Sequence, residues 1–191
     1  AAIMAVLASD NIKHPALEGL FTIDEETGMT GAKELDGTLL EGKILLNLDT
    51  EDDDELSVGC AGGIDTNTSL SYKEIEINNN AQVFDITISG LLGGHSGMDI
   101  DKGRGNANKI LARILWKINK EIPIQLIQFD GGSLRNAIPR EASAQIAVAI
   151  DMDSNFKALF QEDTLVIIEE FKTIEPNYKI DLSTATAKGK A

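Results

Sequence analysis

Two kinds of hydrophobic spacing divide the chain. Up to residue 62 the apolar residues come in short runs, Ile3-Met4-Ala5-Val6-Leu7, Leu20-Phe21-Thr22-Ile23 and Ile44-Leu45-Leu46-Asn47-Leu48, separated by turn chemistry at Lys13-His14-Pro15 and Glu41-Gly42. A short continuous apolar run bounded by turns suits a strand buried on both faces. The region therefore reads as helix, strand, short helix, strand, the alternation of an α/β layer. The opening run reads as the end of a buried helix cut mid-element, so the chain is expected to be an internal piece of a longer protein.

After residue 62 the spacing changes. Gly62-Gly63 with Asp65-Thr66-Asn67 is turn chemistry and a plausible hinge. Residues 82–89 then alternate as a strand, and residues 106–120 place Ile110, Leu111, Ile114, Leu115 and Ile118 at helical spacing. Residues 124–129 and 142–150 read as strands, 156–171 as a helix and 178–182 as a last strand. The order βαββαβ predicts a ferredoxin-like α+β arrangement, an antiparallel sheet covered on one face by two helices. The small-residue tail 183–191 reads as irregular. The boundary falls between 1–62 and 63–191.

Candidate chemistry gathers where the predicted strands of the first region end. Asp24-Glu25-Glu26-Thr27-Gly28 follows the run at 20–23, and Asp49 ends the run at 43–48. Unpaired charge beside a core is costly, so such carboxylates usually have a cation nearby. In open α/β sheets, sites gather at the carboxyl ends of strands. In an extended segment Glu25 and Glu26 would point in opposite directions, which suits one for metal and its neighbour for a proton. A bare acidic pair is, however, most often a solvated loop. The run 51–55 reads as such a loop and lacks the spacing of a calcium loop.

Composition narrows the partners. A net charge of −14 argues against nucleic acid and anionic membrane, both of which require a basic surface. The single cysteine, Cys60, rules out an intrachain disulfide and reads as a small buried residue. No signal peptide or membrane span is legible, and an acidic cytoplasmic protein is the simplest reading. Of the two histidines, His14 sits in a turn before Pro15 and reads as solvent-facing, whereas His95 lies among glycines in Gly93-Gly94-His95-Ser96-Gly97, where backbone and ring could approach a ligand closely. Asn136 falls in a loop between two predicted strands, flanked by Arg135 and Arg140; a turn role is common for Asn.

The stretch Phe21-Thr22-Ile23-Asp24-Glu25-Glu26-Thr27-Gly28-Met29-Thr30-Gly31-Ala32 resembles the bacterial aminoacyl-histidine dipeptidases, a two-zinc metallopeptidase family. The likeness continues through Leu48-Asp49-Thr50-Glu51, Gly59-Cys60-Ala61-Gly62-Gly63, Gly93-Gly94-His95-Ser96-Gly97 and Arg135-Asn136-Ala137-Ile138-Pro139-Arg140. It implies that residues 1–62 are part of an α/β zinc-peptidase catalytic domain and that 63–191 are an incomplete lid that also forms a homodimer. It further implies two divalent ions, zinc first, with manganese or cobalt as alternatives. Glu26 and Asp49 would each bind one ion, and Glu25 would be the general base, taking a proton from water and returning it to the leaving amine. His95 would cross the dimer to stabilise the oxyanion in the partner's site, and Asn136 would hold the terminal carboxylate of a dipeptide, Xaa-His among others.

The departures also carry information. The resemblance calls for a His-x-Asp motif, a bridging Asp and a late His, and neither His14 nor His95 stands in such a context. This chain alone is therefore expected to be inactive. Two other readings stay open: a two-zinc aminoacylase or carboxypeptidase, and a non-catalytic dimerisation module, since fold alone does not decide function.

Overall fold

The computed structural model describes residues 1–49, 54, 56, 58–59, 62, 64–187 and 190–191. The acidic run 51–55 apart from Asp54, together with Cys60 and Gly63, falls outside the described residues. The chain forms two compact units, Ala1–Thr66 and Asn67–Ala191.

The first unit holds helix α1 (Ala2–Leu7), the single helical turn α2 (Thr30–Lys33) and a 3₁₀ turn at Gly37–Leu39. None of these buries a residue, so the expectation of a buried helix at the start is corrected. The two predicted strands are also absent among the described residues. Residues 20–23 and 43–48 have no ladder partner, and Ile23, Ile44, Leu45 and Leu46 stand exposed. The physical reason is that a strand is a property of a pair: its N–H and C=O groups need a neighbour, and a two-sided apolar strand needs cover on both faces. Side chains hold this unit's turns instead. The Glu18 carboxylate accepts the N–H groups of Glu41 (3.1 Å) and Gly42 (2.7 Å), and these bonds, Glu41 first, lower its pKa.

Among its described residues the second unit contains six strands and two α-helices. Strand β1 (Ala81–Ser89) is followed by β2 (Gly94–His95) and helix α3 (Ala107–Glu121), then by β3 (Ile124–Gly131), β4 (Ala137–Ile138) and β5 (Ala142–Ala149), and last by helix α4 (Asp153–Phe171) and β6 (Lys179–Ala185). The main sheet runs β3-β5-β1-β6 with every neighbour antiparallel, and β2 pairs with β4 in a separate two-stranded ladder. Apart from that small ladder the order is βαββαβ, as the spacing predicts. The last strand reaches Ala185, three residues into the tail expected to be irregular, because Ser183, Thr184 and Ala185 pair with Asp85, Phe84 and Val83.

Register explains the core. Phe84, Ile86 and Ile88 on β1 stand opposite Ile146, Ala144 and Ala142 on β5, all on the face that meets the helices. Helix α3 starts where the Asn106 side chain accepts the Lys109 N–H at 3.1 Å, a cap that satisfies one of the free donors of the first turn. Its residues Ile110, Leu111, Ile114, Leu115 and Ile118 form one buried stripe. From α4, Phe156 and Phe160 complete the core, Phe156 lying 4.8 Å from Phe84 between ring centroids. Each such side chain contributes about 1.5–3 kcal/mol on burial. The helices are also joined by Lys117 to the buried Asp163 and by a two-pronged Arg113–Glu170 pair at 2.8–2.9 Å. A register shift between Leu126 and Gln128 marks a bulge in edge strand β3.

Candidate functional site

Asp24, Glu25 and Glu26 belong to a turn, not a strand exit. Asp24 and Met29 adopt left-handed backbone, with φ of 59° and 54°, a conformation uncommon for residues other than glycine. Between them the chain folds tightly: the Asp24 carbonyl accepts the N–H groups of Gly28 (3.2 Å) and Met29 (2.6 Å), and its carboxylate accepts the Thr27 and Thr30 hydroxyls. Asp24 thus spends its charge on the turn, while Glu25 and Glu26 stand exposed. Their positions in a turn correct the expectation that strand alternation separates them. Asp49 is also exposed, its N–H donating to Asn47 Oδ1 at 2.9 Å.

The second unit brings His95 and Asn136 together. In the β2–β4 ladder His95 stands opposite Ala137, and the Ser96 N–H donates to the Asn136 carbonyl at 2.8 Å. Gly93 and Gly94 form the approach, with φ of 67° and 145°. Any side chain there would be strained. A Cβ on Gly93 would also run into Arg140, and one on Gly94 would meet Asp99 Oδ2 at 2.5 Å. Arg140 donates from Nε to the Leu91 carbonyl at 3.1 Å, and Arg104 from Nη1 to the Gly93 carbonyl at 2.5 Å.

The imidazole of His95 is oriented by its own loop. Nδ1 accepts the N–H groups of Gly97 (3.1 Å) and Met98 (3.3 Å). A nitrogen facing two donors carries no proton, so in the neutral ring the proton sits on Nε2. Nε2–H is then a donor on an exposed side chain. The His95 N–H donates to Asp99 Oδ2 at 2.7 Å, and Asp99 also holds Lys102 (2.6 Å) and Arg104 (3.3 Å). The Lys102 hydrogen bond first, and the His95 N–H after it, keep the Asp99 carboxyl below the usual carboxylate range. His14, in contrast, is exposed and turns Nδ1 to the Pro15 carbonyl at 2.6 Å, so there Nδ1 carries the proton.

Three residues around this loop escape sequence reasoning: Asp99, Arg104 and Glu175. Asp99 and Arg104 are ordinary charges in a polar loop. Glu175 lies in the turn after α4, where no periodicity marks it, yet it is fully buried. Among the described residues no three His, Cys, Asp or Glu side chains form a metal-binding group. Two shallow cavities, of about 130 and 190 Å³, lie between α3 and α4 and over β1 and β5, and neither is lined by a predicted site residue. None of the helices among the described residues is long and apolar enough to cross a membrane.

With this geometry in place, the comparisons are specific. Residues 86–173 match the peptidase dimerisation domain. The chain is 44% identical over 184 residues to the cytosol non-specific dipeptidase of Escherichia coli (strain K12), covering 96% of this chain and 38% of that protein. A more distant relative is the uncharacterised protein YqjE of Bacillus subtilis (strain 168), 27% identical over 82% of this chain and 40% of its own length. Among solved structures, aminoacylhistidine dipeptidase from Vibrio alginolyticus superposes with a TM-score of 0.76 at 40% identity, over 99% of this chain and 39% of that one. The chain spans about two fifths of the length of the relatives it matches. Along nearly its whole length the chain is thus similar to these dipeptidases, and its residues 86–173 match the peptidase dimerisation domain.

Proposed function

We propose that this sequence serves a cytoplasmic, metal-dependent dipeptidase that hydrolyses Xaa-His and other dipeptides as a homodimer. The observation that carries the reading is the β2–β4 ladder, which sets His95 opposite Ala137 and ties the Ser96 N–H to the Asn136 carbonyl, in a chain 44% identical to a dipeptidase. Within it, His95 stabilises the oxyanion of the attacked peptide carbonyl in the partner subunit's site, and Asn136 holds the substrate's terminal carboxylate. The chain consists of a catalytic portion at 1–62 and a lid at 63–191.

Glu26 and Asp49 supply hard oxygen donors suited to zinc, manganese or cobalt. They fit by donor chemistry as part of a shell, and the described residues do not close one. A bound divalent ion would supply a water acidified towards neutrality. Glu25, exposed beside Glu26 on the same turn, takes a proton from water and returns it to the leaving amine. The dimer forms through the edge strand β3, where Leu126 (47% exposed) and Phe129 (40% exposed) leave apolar surface beside unpaired backbone groups.

The test is a full-length enzyme assayed against a dipeptide panel with zinc, manganese or cobalt. Glu25→Gln should keep its metal and lose about two to four orders of magnitude in turnover; unchanged turnover would make Glu25 structural. Mixing Glu25→Gln with His95→Ala subunits tests the crossing. If His95 acts across the dimer, one site of the mixed dimer is intact and activity returns, although each variant homodimer is inactive. No recovery in a verified mixed dimer removes His95 from the partner's site.

A further inference from the structure

Among the described residues of the second unit, the Glu175 carboxylate is the most completely enclosed charge, with the residue 1% exposed. Burying an anion is costly unless its oxygens are satisfied. Here both are: Oε2 accepts the Leu92 N–H at 2.7 Å and Oε1 accepts the Gly105 N–H at 2.8 Å. Hydrogen bonds from backbone N–H to an ionised carboxylate are among the stronger ones in proteins. The two donors lie at opposite ends of one segment, 92–105, and that segment carries Gly93, Gly94, His95, Asp99 and Arg104.

The spacing around the carboxylate is tight. A Cβ on Gly105 would come within 2.7 Å of Leu91 Cδ2, while at 3.4 Å from Glu175 Cγ and Oε1 it would sit in ordinary contact. Glu175 itself is anchored by its N–H to the Phe171 carbonyl at 2.8 Å, at the end of α4. A loop whose two ends are tied to one rigid group has little freedom to shear. The bonds from Gly97 and Met98 to His95 Nδ1 depend on the same loop keeping its shape.

We propose that Glu175 is a positioning residue for His95: its buried carboxylate clasps both ends of the 92–105 segment and so keeps the imidazole in its Nε2–H form. Only a carboxylate performs this task. It presents two acceptors to two donors, whereas a glutamine would turn its NH₂ group towards one of the N–H groups and leave that donor unsatisfied. The catalytic consequence rests on the role proposed above for His95; the structural consequence does not.

The two consequences are read separately. The 191-residue chain has two histidines, so a ¹⁵N ring spectrum resolves His95 against His14 as an internal reference. In the unaltered chain His95 should show a protonated Nε2 and a bare Nδ1, and His14 the reverse. In Glu175→Gln the His95 signals should move to an averaged, two-tautomer pattern while His14 is unmoved. A His95 pattern unchanged in Glu175→Gln overturns the proposal. Should that variant fail to fold, amide exchange in the unaltered chain decides: slow exchange at both Leu92 and Gly105 supports the clasp, and fast exchange at either overturns it. In the full-length enzyme Glu175→Gln should lower kcat about tenfold to a hundredfold with KM and metal content unchanged, less than the 10²–10³ typical of a lost oxyanion donor. If the ring pattern is lost in Glu175→Gln while His95→Ala leaves kcat intact, the clasp stands and the oxyanion role of His95 falls.

Discussion

The two units use hydrophobic residues in opposite ways. In Asn67–Ala191, the apolar positions of β1, β5, α3 and α4 meet across register and helix faces, and Phe84, Ile86, Ile114, Ile118, Ile146 and Phe156 have no exposed surface. In Ala1–Thr66 the runs are as apolar, yet Ile44 is 84% and Leu45 79% exposed. Order in the first unit comes instead from polar side chains that hold turns: Glu18 on the N–H groups of residues 41 and 42, Asp24 on the Thr27 and Thr30 hydroxyls, Asp36 on the Thr38 N–H. Hydrophobicity is thus a statement about what a segment could bury, and pairing is what decides whether it does.

That contrast is sharpest in the core. Ile114→Ala should lower the unfolding free energy by about 2–5 kcal/mol, because it leaves a cavity between α3 and the sheet. Leu45→Ala should stay within about 0.5 kcal/mol, as for an exposed substitution without partners. Trp116, the single tryptophan, lies on α3 and reports the second unit in a urea titration. Equal shifts for the two variants would show that residue 45 is packed and would erase the distinction.

Next in size is the loop that carries His95. Gly94→Ala places a side chain at φ 145° against Asp99 and Arg104, a strain of about 1–3 kcal/mol. We expect a lower urea midpoint together with loss of the single-tautomer His95 signal. Gly37→Ala in the first unit, where a Cβ meets nothing within 4 Å, should move neither. A Gly94→Ala chain with unaltered His95 signals would mean that the loop tolerates another path.

Caps provide a smaller test. Asn106→Ala removes the bond to the Lys109 N–H at the start of a 15-residue helix with six buried residues, and should cost about 1 kcal/mol. Asp36→Ala removes a similar bond, to the Thr38 N–H at 2.9 Å, from a three-residue turn that buries nothing. Its effect on the same urea midpoint should be undetectable. A matching loss for Asp36→Ala would place that turn within the cooperative structure.

The same contrast explains what sequence reasoning could reach. Periodicity located β1, α3, β3, β5, α4 and β6, because in those elements the apolar spacing and the eventual neighbours lie in one unit; Ile110, Leu111, Ile114, Leu115 and Ile118 are all buried as their spacing implies. It failed at 20–23 and 43–48, whose spacing says nothing about whether a partner strand is present. It also missed the end of β6, where Ser183 and Thr184 are recruited by β1 and not by their own composition. Of the candidate site, His95 stood out by its glycine surroundings and both His95 and Asn136 by the family resemblance, and the ladder that joins their segments was not legible. Glu175 was illegible, since its burial is satisfied by the donors at Leu92 and Gly105, 83 and 70 residues away in sequence.

The smallest effect is on acid titration, and it returns to the two units. Asp99 and Glu18 both have lowered carboxyl pKa values, Asp99 chiefly through the Lys102 ammonium and Glu18 through the N–H groups of Glu41 and Gly42. For a carboxyl lowered on folding, the stabilisation is complete above the unfolded value, about 3.9 for Asp and 4.3 for Glu, and is lost as pH falls through the folded value. Both groups are solvent-exposed enough for screening to keep the gain small. Their responses to substitution should nevertheless differ. Lys102→Ala removes the largest influence on Asp99, so its side-chain carboxyl ¹³C titration midpoint should rise, and the His95 amide, which donates to the same carboxylate, should begin to shift at higher pH than in the unaltered chain. Glu18, held by backbone alone, has no side chain whose removal would do the same, and its midpoint should stay where it was. A midpoint for Asp99 indifferent to Lys102 would leave the His95 N–H as the main influence on Asp99, and the loop would then be held by backbone in the manner of the first unit.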